Sequence, residues 1–295
     1  MILAACAPPT RPQHVPSPTA AEDETIRAPE PWGTQPEDTA VADDVVPKGR
    51  IDVTVADGDE RPLRGVRVAF SDREQPLGYG VTDEQGRVSF TVAPSMHLGV
   101  TATFQNGRFP IQIAMRPRSG VRVRLHAYPS TTNANDAKVS LVAAVVLERV
   151  PGRLRISMSI VSFVSSRRAF AEDTSFAIPE QATNFETHRN PEAIHIERTG
   201  AAVRLFDTLP PGRREGRLTF EIPAPEGEAV RLALGLPTGV ETIRVGYLNE
   251  SSAANIEVEG FEKAQRDSSV RAMLYTTREC RGAADAPDKL AITVR

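Results

Sequence analysis

The sequence predicts an all-β chain: two antiparallel β-sandwich domains preceded by a disordered, proline-rich tether. Three observations carry this. Apolar residues recur at every second position, as in Ile51-Val53-Val55, Val66-Val68-Phe70 and Val121-Val123-Leu125, the period of a strand with one buried face. Pairs of Gly, Pro, Asn and Asp separate these runs at short intervals, the punctuation of a sheet built from turns. Residues 7–48 hold nine of the 24 prolines, the acidic clusters Glu22-Asp23-Glu24 and Asp43-Asp44, and almost no large apolar residue except Trp32. That composition buries too little surface to offset the entropy of ordering.

At the start of the chain, Leu3-Ala4-Ala5-Cys6 resembles the lipobox of bacterial lipoproteins, where small residues precede the cysteine that is lipidated. The resemblance implies a lipid anchor at Cys6 and a membrane-anchored place in the cell envelope, periplasmic or at the cell surface. Only Met1 and Ile2 precede the box, whereas a secretory signal has about 7–15 apolar residues after a basic segment, so either the true start lies upstream or the match is chance. No stretch approaches the roughly 18 apolar residues of a spanning helix, so attachment would fall to the lipid. Residues 1–48 then read as lipobox and tether.

From Gly49 the pattern changes to strands. Ile51 to Ala56 ends at Asp57-Gly58-Asp59, and Gly65 to Phe70 ends at Ser71-Asp72. Val81-Thr82 and Arg87 to Val92 flank the tight turn Asp83-Glu84-Gln85-Gly86 and read as a hairpin with Val88, Phe90 and Val92 on one face. Val100 to Met115 reads as a second hairpin about Asn106-Gly107. Gly120 to Tyr128 closes the unit with Val121, Val123 and Leu125 inward and Arg122, Arg124 and His126 outward. Seven short strands in residues 49–129 make a small sandwich.

Ile51-Asp-Val-Thr-Val, Pro62-Leu-Arg-Gly-Val-Arg-Val and Val81-Thr-Asp-Glu-Gln-Gly-Arg-Val-Ser-Phe, in that order, resemble the carboxypeptidase-regulatory-like, or transthyretin-like, domain, with a prealbumin-like layout. The resemblance implies a non-catalytic spacer or binding module. Some adhesin relatives carry a Lys–Asn cross-link, which does not carry over, because Lys48 precedes the first strand and Val121 to Tyr128 holds no Asn or Asp.

Ser130 to Asp136 reads as a linker, and a larger sandwich follows over residues 137–295. Lys138 to Val150 is apolar on both parities, with Leu141, Val142, Val145 and Val146, which predicts a central strand covered on both faces. Leu154 to Val164 alternates. Nine more short strands are expected, at Phe176–Ile178, Ile194–Glu197, Val203–Phe206, Arg217–Ile222, Val230–Leu234, Thr242–Tyr247, Ile256–Val258, Val270–Tyr275 and Leu290–Val294. The stretch from Phe176-Ala-Ile-Pro-Glu to Leu218-Thr-Phe-Glu-Ile-Pro is similar to an uncharacterised Ig-like domain of bacterial envelope proteins, a resemblance that implies no activity.

The chain holds no G-x-S-x-G elbow, H-E-x-x-H, phosphate loop or paired C-x-x-C, and nothing in it calls for a cofactor. A net charge of -3 gives no general attraction to nucleic acid, and none is expected as a partner. His188 and His195, near Glu186, Glu192 and Glu197, are the metal-ligand candidates, against a bland reading as loop residues. The turn Asp57 to Glu60 has carboxylates for calcium, or is only a solvated turn. Arg116, Arg118, Arg122 and Arg124 form one basic row and Arg213, Arg214 and Arg217 another, able to grip phosphates or acidic glycans or simply to solvate strand faces. Cys280 is a reactive thiol or an inert one. The expectation is a non-catalytic, lipid-anchored envelope protein that binds or spaces through protein or glycan contacts. The rival is a metal-dependent hydrolase or metalloprotein with its site in the second domain.

Overall fold

Period-two alternation from Arg50 onward builds strands whose apolar halves meet in two separate cores. The computed structural model describes residues 36–72, 75–93, 97–114, 119–171, 173–187, 194–206, 208–249, 254–266, 273–280 and 285–295. In the first body, β1 (Thr39–Asp43), β2 (Arg50–Ala56), β3 (Arg67–Asp72), β4 (Gln75–Val81), β5 (Arg87–Thr91), β6 (His97–Phe104), β7 (Gly107–Ala114) and β8 (Gly120–His126) form two four-stranded sheets, β1-β8-β2-β5 and β4-β3-β6-β7. Between the sheets lie Ile51, Val53, Val55, Val66, Val68, Phe70, Leu98, Val100, Val123 and Leu125, with Phe70 stacked on Phe90 at 4.2 Å.

Three expectations about this body change. β4 and β5 belong to opposite sheets, so Asp83 to Gly86 is a corner between layers, not the loop of a hairpin. Its local chemistry is as expected: Asp83 Oδ1 accepts from the amides of Gln85 (2.9 Å) and Arg87 (2.8 Å), and Gly86 takes φ +70°, a conformation that costs other residues strain. The second change is that the sandwich begins ten residues before Gly49. β1 pairs along its whole length with β8, and Val46 is 3% exposed, so residues 39–48, read above as tether, belong to the fold. Val41, the only large apolar residue in β1, is exposed. The strand is held by its hydrogen-bond ladder, which leaves no hydrophobic pattern to read.

The third is His126, which the sequence places outward and which Asp38, just before β1, and Glu60 cover. Its ring is 2% exposed, with Nδ1 2.9 Å from Asp38 Oδ1 and Nε2 3.4 Å from Glu60 Oε2. Burial alone would lower the imidazole pKa, but the hydrogen bonds and charges of Asp38 and then Glu60 outweigh it and hold it above the usual 6.5. Since the folded value is the higher one, this stabilisation is complete below the unfolded pKa and is lost as pH rises through the folded one. The melting temperature of the wild type should therefore fall on going from about pH 6 to about pH 9 more steeply than that of His126→Asn. Parallel profiles would show that this imidazole carries no charge in the fold.

A parallel bridge joins the two bodies: β9 (Ser130–Thr131), then a single helical turn α1 (Ala134–Ala137) capped by Asn133, whose Oδ1 accepts from the Asn135 amide at 3.0 Å. In the second body β10 (Val139–Val150), β11 (Arg153–Val164), β12 (Ala169–Phe170), β13 (Thr174–Ala177), β14 (Thr183–Thr187), β15 (His195–Thr199), β16 (Ala202–Phe206), β17 (Gly212–Pro223), β18 (Val230–Gly235), β19 (Val240–Leu248), β20 (Ile256–Val258), β21 (Gln265–Arg266), β22 (Met273–Glu279) and β23 (Lys289–Val294) follow. A seven-stranded sheet, β14-β17-β11-β10-β19-β22-β21, covers two three-stranded sheets, β13-β16-β15 and β18-β23-β20. These two abut, since a Cβ on Gly235 would lie 2.5 Å from Ala177 N. Most pairs are antiparallel; β2 with β8, β10 with β19 and β9 with β12 are parallel.

The linker is not a free connection. β9 pairs with β12, and Ala169 is fully buried in the core of the first body. The Arg108 amide donates to Thr208 Oγ1 at 2.6 Å, and Arg167 lies 3.6 Å from Asp59.

Candidate functional site

Among the described residues, those singled out by the sequence do not converge. Cys6, Arg116, Arg118 and His188 lie outside the described residues, as does Glu192. Of the first basic row, Arg122 is paired with Asp43 at 2.9 Å and Arg124 with Glu60. His195 sits exposed on β15 opposite Phe206, and among the described residues no group of three His, Cys, Asp or Glu side chains could hold a metal ion. The acidic turn satisfies itself: Asp57 Oδ1 accepts from the amides of Asp59 and Arg61, both at 2.9 Å, while Glu60 turns to His126 and Arg124. Cys280 is a free thiol 9% exposed in the second core, and burial pushes its pKa up, the opposite of activation.

The feature that does assemble is the outer face of the seven-stranded sheet. β10 is central, with β11 and β19 on either side, as its apolar composition predicts. Only one of its faces is fully covered: Leu141, Ala143, Val145 and Leu147 are buried, while Val142, Ala144 and Val146 remain half-buried on the outside. Register extends this row across the sheet. Val146 lies beside Ser157 and Gly246, Ser157 beside Thr219, and Gly246 beside Tyr275. Ala144 lies between Ser159 and Arg244. The outcome is a shallow floor of small side chains, with Tyr275 39% exposed at one side.

Two carboxylate hubs border the floor. Glu221, in register with Arg155, accepts from Arg153 Nη1 at 2.9 Å, Asn184 Nδ2 at 2.8 Å and Arg155 Nη2 at 3.2 Å, and Arg155 also reaches Glu148 at 3.4 Å. Glu215 accepts from Ser159 Oγ (2.9 Å), Arg213 (2.8 Å) and Arg217 Nε (3.0 Å), so two arginines of the second basic row share one carboxylate. The Arg153 and Asn184 hydrogen bonds, outweighing desolvation, hold Glu221 below the ordinary carboxylate range. At Glu215 burial pushes upward, but the Ser159, Arg213 and Arg217 hydrogen bonds win and lower it. A depressed folded pKa gives stability that is present above the unfolded value of about 4.5 and lost as pH falls through the folded one. Glu221→Gln should therefore be less stable than wild type at pH 7 and should flatten the acid limb of the melting curve. An unchanged acid limb would mean the hub contributes nothing.

Sequence reasoning missed these hubs, although one signal was present. Polar residues occupy every second position in Arg153-Arg155-Ser157-Ser159 and in Arg213-Glu215-Arg217-Thr219-Glu221. What brings them together is the β11–β17 register.

No family model matches the chain, and neither does any curated protein. Among solved structures it is similar to an M1 zinc metallopeptidase from Deinococcus radiodurans (16% identity, 52% of this chain and 41% of that one, TM-score 0.28). It is also similar to BcpA, the major pilin subunit of Bacillus cereus (9% identity, 84% of this chain and 85% of that one, TM-score 0.22). The chain thus spans about two fifths of the peptidase's length. Both likenesses are too distant to bear on activity.

Proposed function

We propose that this chain is a non-catalytic binding module of the cell envelope, a carboxypeptidase-regulatory-like sandwich followed by an Ig-like one, anchored by a lipid on Cys6. Its recognition surface is the outer face of the seven-stranded sheet, and its partner is a protein. One observation carries this: Val142, Ala144 and Val146 make a half-buried apolar floor bordered by the Glu221 and Glu215 hubs, Arg244 and Tyr275. An apolar centre with a polar rim of Arg and Tyr is the anatomy of a protein interface. A sugar-binding face would want more than one exposed ring.

A photo-cross-linking residue placed at Val146 should give a discrete protein adduct in intact cells. The same residue at Ala291, exposed on β23, should not, and Tyr275→Ala should abolish the adduct. Equal labelling at both positions would overturn the assignment, and retention on purified envelope polysaccharide that Tyr275→Ala removes would replace the protein with a glycan. The anchor is tested separately by palmitate labelling, expected in the wild type and absent from Cys6→Ser.

A further inference from the structure

We infer a second contact surface, independent of the sheet face above: the free edge of β4, where the chain pairs with a second copy of itself. Among the described residues β4 is the terminal strand of its sheet, hydrogen-bonded to β3 alone. Its sequence, Gln75-Pro-Leu-Gly-Tyr-Gly-Val81, holds no charged residue. Edge strands are ordinarily protected by charge, proline or a bulge. Here Pro76 and the irregularity at Phe70/Ser71 guard only the first half of the strand, and Gly78 to Val81 has no such device.

The unprotected half is also apolar on the outside. Gly78 and Gly80 face the core, where a Cβ would meet Phe90 at 2.9 Å and Val88 at 2.5 Å. Tyr79 and Val81 consequently face outward, 64% and 56% exposed, with Leu77 40% exposed before them. The Arg67 guanidinium lies 4.4 Å from the centre of the Tyr79 ring.

The hydrogen-bonding groups set the register of that pairing. The Thr82 amide donates to Val66 O at 3.0 Å, toward β3. Successive residues of a strand direct their amides to opposite sides, so Gly80 follows Thr82 inward, and Tyr79 and Val81 present N–H and C=O to the open edge. An identical strand running antiparallel about a two-fold axis at Gly80 satisfies both: Tyr79 exchanges two backbone hydrogen bonds with Val81 of the second copy, and Val81 two with Tyr79 of the second copy. The same register stacks Tyr79 on Val81 of the other chain, an aromatic–β-branched pair of the kind that stabilises antiparallel sheets. A neutral strand offers a copy of itself no like charge. A single strand pair covers less than the roughly 800 Å² per partner of a standard interface, so the pairing is weak and grows with concentration.

Sedimentation velocity of the full chain from about 10 µM to about 1 mM should show a rise toward twice the monomer mass. Val81→Lys, which leaves the core untouched, should weaken association at least about tenfold, and Tyr275→Lys on the sheet face should leave it unchanged. Register is read by cysteines in a Cys6→Ser background: oxidising a mixture of Tyr79→Cys and Val81→Cys proteins should give disulfide-linked dimer in several-fold excess over either alone. A chain that stays monomeric throughout, an association insensitive to Val81→Lys, or equal cross-linking in mixed and single samples would each overturn the proposal.

Discussion

Phe70→Ala lowers the unfolding free energy of the first sandwich by about 3–5 kcal/mol, the cost of truncating a fully buried aromatic without refilling its space. Phe70 is 0% exposed and stacks on Phe90 with an interplanar angle of 8°. It lies on β3 and Phe90 on β5, in opposite sheets, so the substitution removes a contact that ties the layers together as well as a volume. A small domain is stable by only about 5–15 kcal/mol in total. Denaturant unfolding should show the loss as a lower midpoint at unchanged slope, and a loss under about 1 kcal/mol would mean that the core repacks around the hole.

Gly86→Ala is expected to be nearly as costly, for a different reason. At φ +70° an L side chain is strained, by roughly 1–2 kcal/mol. The new Cβ would also stand 2.4 Å from Val55 O and 3.1 Å from Leu63 N, and backbone on both sides leaves nothing that can swing away. Forced displacement of this kind costs about 1–3 kcal/mol more. The Gly86 carbonyl accepts from the Val55 amide at 2.8 Å, so displacing the turn would also strain a bond to β2. Substitution of Gly65, in the same body, which has φ +76° but no atom within 4 Å of its added Cβ, isolates the conformational part. Comparing the two melting temperatures therefore measures the clash alone, and equal losses would remove it from the account.

Gly86 also shows how far the sequence could be read. The residues that make its turn were legible because turn chemistry is local: an Asx side chain and a glycine within four positions. Which strands the turn joins was not, because the same chemistry serves a hairpin and a corner between sheets. Strands of the second body such as β17, β18, β19 and β23 were legible from period-two alternation alone. β1 was not, having one exposed valine in place of a buried row. His126 failed for the same reason, since its parity is outward and its cover comes from Asp38 and Glu60, groups brought in by segments 88 and 66 residues away. The apolar outer parity of β10 was visible and misassigned to a second covering layer. It is half-buried, and among the described residues no second sheet covers it.

Ala169 lodged in the core of the first body has a mechanical consequence. With β9 laid against β12 and the Arg108 amide bonded to Thr208, the waist of the molecule is riveted at several points and transmits torque instead of absorbing it. The direction in which the chain leaves Thr39 therefore dictates the tilt at which the seven-stranded sheet is held.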